Sequence, residues 1–304
     1  MFPEITAREA LRQSKSDVWS SRRDSAHQSW YKFSRNWLSI LGLAMVCLII
    51  FLAIFAPYVT PYPKHAGKFV DFKSKNLGPS LTHPMGTDTM GRDVLTRVIF
   101  AFGSALMMAI GVLVVTVPIG VLTGMLAGYY SGTWIETVIM RVTDVFISVP
   151  PLILALAVAS MLRPTLMNSM MAVAIAWWPW YTRLTFSLTS SLRNEFYVHA
   201  AELTGAGKFH ILFREILPNC ASSIFTKMAL DVGWVILVGA ALSFVGLGEQ
   251  PPNAALGTMM ADGVSRMPGQ WWIAVFPAVG IMVIVLGFNL FGDGLRDMLA
   301  PEEG

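Results

Sequence analysis

Long apolar segments limit most strongly what this chain can fold into. A helix needs about 20 apolar residues to cross the hydrocarbon core of a bilayer. By that measure the sequence predicts six membrane spans, at 38–58, 100–128, 134–162, 165–188, 221–245 and 271–291. Because lipid offers no hydrogen bonds to the backbone, such segments must pair their own polar groups as helices. We therefore expect an all-α polytopic membrane protein of about six transmembrane helices.

The composition agrees with a chain that lies largely in lipid. Only 13% of the 304 residues are charged and 54% are hydrophobic, whereas a soluble domain is about 25% charged. The two cysteines, Cys47 and Cys220, lie within or beside apolar runs, so we expect no disulfide framework. A net charge of +3 gives no indication of a nucleic-acid partner. The expected environment is the lipid bilayer.

The distribution of basic residues predicts the orientation of the chain. The first apolar segment is too long for a cleavable signal, and a basic polar tail precedes it. That tail contains Arg8, Arg12, Lys15, Arg22, Arg23, Lys32 and Arg35. The positive-inside rule places it in the cytoplasm, and counting spans then places the C-terminus there too, which is an N-in/C-in topology. The external loop is nevertheless rich in Lys and Arg, in tension with the same rule.

These boundaries divide the chain into five parts. They are a cytoplasmic tail at 1–36, a first transmembrane helix at 37–58, an extracytoplasmic loop at 59–98, a helical core at 99–297 and a cytoplasmic tail at 298–304. The core contains a polar loop at 195–219, which the topology places in the cytoplasm.

Small residues and prolines within the spans predict how the helices pack. Gly120, Gly124 and Gly128 form a stripe that lets another helix approach closely. That helix belongs either to this chain or to a second subunit. The Pro150-Pro151 pair is expected to break or kink the third span, because each proline removes a backbone hydrogen bond.

Polar and aromatic side chains at membrane depth are candidates for a translocation pathway. We assign that role to Trp177, Trp180, Tyr181 and Asp231. Packing in the core is the alternative for the aromatic residues. Asp231 has no obvious local partner and is expected to face a subunit interface or an aqueous cavity. Arg141 and Asp144 are three residues apart and are expected to pair on one helix face.

Motifs of several enzyme classes are absent from the sequence. It has no phosphate-binding G-x-x-x-x-G-K-[ST] loop, so we expect no ATP site in this chain. Its five histidines show no metal-ligand spacing, so we expect no bound metal or cofactor. The predicted spans contain no histidine that could serve as a catalytic base, which disfavours an intramembrane hydrolase. Transport is the favoured function.

The polar loop at 195–219 is longer and more ordered than a passive connector needs to be. Phe196, His199, Ala200 and Leu203 recur at helical spacing, which predicts a helix over 195–204. A Gly-Ala-Gly turn follows, and a second helix is predicted over 208–217, with a bend at the next proline. Such a helix-turn-helix could dock into a cleft of another protein or lie on the surface as a connector.

This loop is similar to the cytoplasmic EAA loop of ABC-importer permeases. Ala200, Ala201 and Gly205 match the pattern, and the ending Ile216-Leu217-Pro218-Asn219 resembles the peptide-importer branch. The sequence departs from the pattern at His199, where a Glu is usual, and Glu195 or Glu202 could replace it. In the family this loop docks on the ATPase subunit. The resemblance implies coupling roles for His199, Ala200, Ala201, Glu202, Gly205, Ala206, Arg214, Leu217 and Pro218.

Three further motifs resemble the C-type permease subunit of dipeptide, oligopeptide and nickel importers. They are His83-Pro-Met-Gly-Thr-Asp88 with Gly91-Arg-Asp-Val94, then Phe244-Val-Gly-Leu-Gly248 with Gln250-Pro-Pro252, and finally residues 288–297. Leu256 and Ala300 depart from the family pattern, at positions where Trp and Asp are common. Together the matches extend over residues 35–297, which is nearly the whole chain.

The resemblance implies a MetI-like permease fold and a subunit of an ATP-driven importer in the bacterial inner membrane. Its implied partners are a B-type permease, two ATPase subunits that hold ATP and Mg²⁺, and an extracytoplasmic solute-binding protein. Di- or oligopeptides are the first expectation for the substrate. Nickel chelates, glutathione, opines and oligosaccharides are alternatives within the family, whereas a lone secondary carrier or an intramembrane enzyme is a remote one.

Overall fold

A computed structural model describes residues 30–299, which are mostly helical. We number the helices α1 (Trp37–Val59), α2 (Val94–Tyr129), α3 (Trp134–Ile147), α4 (Pro151–Ser160), α5 (Leu166–Leu192), α6 (Phe196–Leu203), α7 (Lys208–Phe244), α8 (Leu256–Val264) and α9 (Trp272–Leu299). Most of the basic N-terminal tail and the departure at Ala300 lie outside the described residues.

Fewer helices qualify as membrane spans than the six that the sequence predicts. Within residues 30–299, α1, α2, α7 and α9 are long and apolar enough to cross a bilayer. The third predicted span is α3 and α4, which meet at an angle of 84° and make a fifth span if they cross as one. The break lies at Pro150-Pro151, as expected. The fourth predicted span is α5, which is 27 residues long but contains many polar residues.

Close packing of α2 on α5 explains why α5 can be polar. Thr182, Thr185 and Thr189 of α5 are buried, and the Thr182 and Thr123 hydroxyls hydrogen-bond across the interface at 2.8 Å. A Cβ built on Gly128 would lie 2.6 Å from the Thr189 Cβ, and one on Gly124 would lie 2.5 Å from the Thr182 carbonyl oxygen. The two helix backbones are therefore in near contact.

The glycine stripe consequently packs within this chain. Gly120, Gly124 and Gly128 are all buried in the single subunit, and the neighbours that a Cβ would meet all belong to α5. The sequence leaves open whether the helix that packs on this stripe belongs to this chain or to a second subunit, and the structure shows a helix of this chain. The prediction that these three residues pack against a second permease subunit is not supported.

The described ends of the chain lie at the same end of the bundle as the 195–219 loop. Residues 30–35 are helical, and Phe33 packs on Phe291 near the end of α9. The loop that contains α6 packs at the C-terminal end of α2, and α1 and α9 run side by side. The two described ends, residues 30 and 299, therefore lie on one side of the bundle, while the N-in/C-in orientation stays a prediction.

The segment at 60–93, which joins α1 to α2 and is here called the outer loop, lies at the opposite end of the bundle. A buried network of charged residues fixes it there. Asp88 accepts a hydrogen bond from Arg92 Nε at 2.7 Å and lies 3.7 Å from Arg97 Nε. Asp93 caps α2 by accepting from the Thr96 amide. Asp88 thus contacts two of the basic residues that oppose the positive-inside rule and balances one of their two charges. The motif at 83–94 is a structural element that joins this loop to α2.

His65 makes the stability of the outer loop dependent on pH. Its Nδ1 accepts a hydrogen bond from the Asp93 amide at 3.0 Å, so the ring must be neutral at that nitrogen. Burial lowers the pKa of His65 below its usual value, although the charge of Asp93 opposes this. The neutral ring therefore contributes stability in full above the unfolded pKa of about 6.5, and that contribution is lost as the pH falls below it through the lowered pKa of the folded state.

We expect amide exchange in residues 60–93 to be faster at about pH 5.5 than at pH 7.5, after correction for intrinsic rates. The variant His65→Asn offers an acceptor oxygen that does not titrate, so it should show a smaller difference between the two conditions. An equal pH response in the variant and the wild type would assign the effect to another group.

Candidate coupling surface and translocation groove

Helix α6 and the start of α7 form the predicted helix-turn-helix. Glu195 has an extended backbone at the N-cap of α6, and Thr204 ends the helix. Gly205 follows with a φ of +86°, a left-handed conformation that glycine adopts without strain. Gly207 then has an extended backbone at the N-cap of the next helix. The Gly-Ala-Gly sequence is thus a reversal between two helices.

The prediction of a bend at Pro218 is wrong. Helix α7 continues from Lys208 to Phe244 without interruption, and the segment Ile211–Ile216 forms a π-helix. Proline lacks an N–H and clashes with the carbonyl four residues earlier, here that of Arg214. The wider π turn contains Arg214 and accommodates this proline without ending the helix. The second half of the loop and the following span are therefore one continuous helix.

Apolar residues fasten the loop to the bundle. Val198, Ile211 and Ile216 are fully buried and pack with Val121 and Met125 of α2. Cations add further contacts at the end of α2. Lys208 Nζ lies 3.3 Å from the Tyr130 hydroxyl, and the Arg193 guanidinium stacks over the Tyr129 ring at 5.4 Å. The loop is therefore packed against α2 and continuous with α7.

Three large apolar side chains of the loop are exposed. Phe196, Leu203 and Phe209 are 91%, 89% and 74% exposed, respectively. The helical spacing of Phe196, His199, Ala200 and Leu203 therefore marks the outer face of α6, while Val198 lies on its buried face. Such residues are unfavourable in water, and these three side chains, here called the apolar patch, suit contact with another protein. Periodicity alone could not distinguish this face from a buried one.

The predicted coupling residues lie in the same loop as this patch. Ala200 and Gly205 are exposed and Ala201 and Ala206 are half-buried. Of the remaining predicted residues, the exposed ones are His199, Glu202, Arg214 and Pro218, and Leu217 is half-buried. Small and apolar groups thus occupy the tip of the loop, with charged groups around them.

Charged groups of the loop form local pairs. His199 Nδ1 lies 3.6 Å from Glu202 Oε2, so Glu202 lies beside the position where the family pattern has its Glu. His210 Nε2 lies 3.4 Å from Glu215 Oε1. Tyr197 accepts a hydrogen bond from the Asn219 amide at 3.3 Å, and burial raises the pKa of its phenol. These pairs are exposed, so each contributes little to stability.

The four pathway candidates lie in two different environments. Trp177 and Tyr181 are buried in the main core, whereas Trp180 is 39% exposed on α5. Asp231 is buried and accepts a hydrogen bond from Lys227 Nζ at 3.2 Å, with Nζ also 3.1 Å from its other oxygen. The Tyr181 phenol lies beside the same carboxylate. The structure thus brings Tyr181 and Asp231 together, while Trp177 lies one turn from Tyr181 in the core and Trp180 is partly exposed.

Two expectations about charge pairs differ from the structure. Asp231 has a local partner in Lys227, one helical turn away, which the sequence analysis missed although the i, i+4 spacing indicates it. Asp144 pairs with Arg183 of α5 rather than with Arg141 of its own helix. Pairing between helices joins α3 to α5, which a reading of one helix at a time does not detect. In the described part of the chain no cluster of three or more His, Cys, Asp or Glu side chains could hold a metal ion.

Comparisons with known proteins agree with this architecture. Residues 120–303 match the family of binding-protein-dependent transport system inner membrane components, and residues 26–79 match the N-terminal transmembrane domain of oligopeptide transport permease C. The methionine ABC transporter MetNI, solved in an inward-facing conformation, superposes with a TM-score of 0.52 at 15% identity. It covers 68% of this chain and 97% of its own, and shows the shared fold alone.

Curated relatives align over nearly their whole length. The chain is 40% identical to a glutathione transport permease, GsiD, of Escherichia coli O6:K15:H31, covering 91% of this chain and 90% of the relative. It is 38% identical to a dipeptide transport permease, DppC, of Alkalihalophilus pseudofirmus, covering 90% and 89%. It is 36% identical to a probable D,D-dipeptide transport permease, DdpC, of Escherichia coli K12, covering 88% of each. The chain therefore belongs to the inner-membrane components of binding-protein-dependent transport systems, the permease subunits of ABC importers.

Proposed function

We propose that this subunit imports di- or oligopeptides together with a second, B-type permease, two ATPase subunits and an extracytoplasmic solute-binding protein. The exposed apolar patch of Phe196, Leu203 and Phe209 carries the coupling part of the proposal. Large apolar side chains this exposed on a segment between two spanning helices favour cover by a partner protein. The partner is the ATPase, whose surface would receive the tip of the loop.

The continuous helix α7 suits the transmission of movement from the ATPase. It joins the loop to the membrane core without a hinge, and Ile211 and Ile216 hold its first turns against α2. Closure of the ATPase pair on ATP would move the loop as a lever and reorient the helices around the shared pathway, in alternating access. ATP and Mg²⁺ belong to the partner subunits in this scheme, and this chain performs no covalent chemistry.

Peptides are the substrate class that the relatives favour. Two of the relatives described above are named for dipeptides, and a third is named for glutathione, itself a modified tripeptide. All of these substrates are small, polar and carry at least one carboxylate. Nickel chelates, opines and oligosaccharides remain outcomes that a substrate screen would distinguish.

Purification of the chain from membranes in mild detergent tests the assembly. We expect a second permease and ATP-hydrolysing subunits to copurify, and ATP hydrolysis to rise when the solute-binding protein and a mixture of dipeptides are added. Recovery of the chain alone, without ATPase activity, would contradict the proposed assembly. Stimulation by oligosaccharides or nickel chelates, and not by peptides, would contradict the substrate class alone.

A further inference from the structure

One face of α7 is polar over several helical turns. The side chains on this face are Asn219, Ser222, Ser223, Thr226, Lys227 and Asp231. They line an open groove of about 760 Å³, whose other lining residues are Leu184, Leu230, Trp234, Arg296 and Leu299. Charged and hydrogen-bonding groups on a spanning helix are costly against lipid. This face therefore belongs to a water-filled path or a protein contact.

The charge pair in the groove has one accessible member and one buried member. The Asp231 side chain is 6% exposed and lies behind Lys227, whose side chain is 26% exposed towards the groove. The Lys227 ammonium also lies 5.2 Å from the centroid of the Tyr181 ring. The carboxylate and the ring fix the position of the ammonium, and the ammonium is the charge that a molecule in the groove would meet.

The ammonium has capacity for a further partner. Lysine has three N–H donors, and only the contact to Asp231 Oδ1 has hydrogen-bond geometry. A carboxylate in the groove could therefore bind Lys227 without displacing Asp231. Arg296 lies at the same groove and provides a second cation on α9.

We propose that Lys227 binds a carboxylate of the substrate as it passes through the membrane, with Asp231 and Tyr181 as positioning residues. The inference rests on the proposed function, because it assigns a contact within the peptide pathway. Asp231 makes the unliganded site neutral, which lowers the cost of keeping a lysine on a spanning helix. A substrate with no anionic group would gain nothing from Lys227.

A purely structural pair is the alternative, since i, i+4 pairs of this kind also stabilise helices. Two substitutions separate the roles. Lys227→Met leaves Asp231 as an unpaired buried charge, so it harms both a structural and a binding role. The double variant Lys227→Met with Asp231→Asn removes both charges, and a buried pair that is replaced by neutral groups is often tolerated. Because the double variant leaves no unpaired buried charge, a loss of import in this variant reports on the substrate contact.

The test uses the complete transporter in proteoliposomes with its solute-binding protein, and dialanine and glutathione as probes. Both Lys227→Met and the double variant should import about tenfold less probe per ATP hydrolysed than the wild type, the loss expected for a charged hydrogen bond. Lys227→Arg, which keeps the cation, should retain most of the import. Arg163→Met, which removes an exposed cation outside the groove, is the control and should leave import unchanged.

Recovery of wild-type import in the double variant would assign the pair to folding alone and overturn the inference. Failure of both methionine variants to assemble, while Lys227→Arg assembles, would overturn it in the same way. A wild-type complex that hydrolyses ATP but imports neither probe would instead contradict the proposed peptide substrate. The two failures are therefore distinguishable.

Discussion

Gly124→Ala is expected to destabilise the folded subunit by about 1–3 kcal/mol, the usual cost of overpacking a close interface. A Cβ at this position would lie 2.5 Å from the Thr182 carbonyl oxygen and 2.8 Å from the Thr185 Cβ, so α2 and α5 would have to move apart. That movement would also lengthen the hydrogen bond between Thr123 and Thr182. The thermal unfolding midpoint in detergent should fall, with less protein in the membrane.

Gly103→Ala is the matched control on the same helix. A Cβ there would meet only the Ala53 carbonyl oxygen, at 3.9 Å, which is ordinary contact. Alanine favours a helix by about 1 kcal/mol over glycine, so this variant should be as stable as the wild type or more so. Equal stability of the Gly124 and Gly103 variants would show that the α2–α5 approach is looser than described.

Gly205→Glu is expected to uncouple ATP hydrolysis from import while the subunit still assembles in the membrane. The open space around the Gly205 Cα position accepts a side chain, and the left-handed backbone costs roughly 1 kcal/mol for a non-glycine residue. A bulky charge at the tip would, however, prevent close docking of the loop on the ATPase. Import per ATP hydrolysed, measured in proteoliposomes, should fall at least about tenfold.

Gly132→Glu controls for backbone strain in this experiment. Gly132 has a φ of +82°, open surroundings and an exposed position between α2 and α3, outside the 195–219 loop. The two variants therefore share the conformational cost but differ in position. If Gly132→Glu lost coupling to the same extent, strain or charge would explain the loss, and the docking role would be unsupported.

The sequence could predict the helical elements because their signals are local. Apolar length identified α1, α2, α7 and α9, and the proline pair located the break between α3 and α4. The number of spans was harder to predict. Helix α5 is polar because its threonines are buried against the glycines of α2, and that environment depends on a helix distant in sequence.

Two errors came from reading local patterns without their three-dimensional context. Pro218 normally signals a bend, but the π turn before it lets α7 continue. Arg141 and Asp144 have suitable spacing, but Arg183 of another helix pairs with Asp144. A proline and a charge spacing each allow several outcomes, and tertiary contacts decide among them.

The sequence could predict the site residues that belong to a recognisable motif. It was less able to predict those whose exposure depends on how the helices pack. The loop resemblance identified the small residues at the tip, including Ala200 and Gly205. It did not identify the exposed Phe196 and Phe209, because an apolar residue at helical spacing usually faces a core. Lys227 could have been found from its spacing to Asp231.

Photocrosslinking at position 203 tests the central claim most directly. Leu203 is exposed on α6 at the tip of the loop, so a photoreactive amino acid there would lie within reach of any docked partner. The same substitution at Leu81, which is exposed in the outer loop at the opposite end of the bundle, is the control. We predict that position 203 crosslinks to an ATP-hydrolysing subunit in membranes and that position 81 does not. Crosslinks from position 203 only to lipid or to this chain would contradict the account.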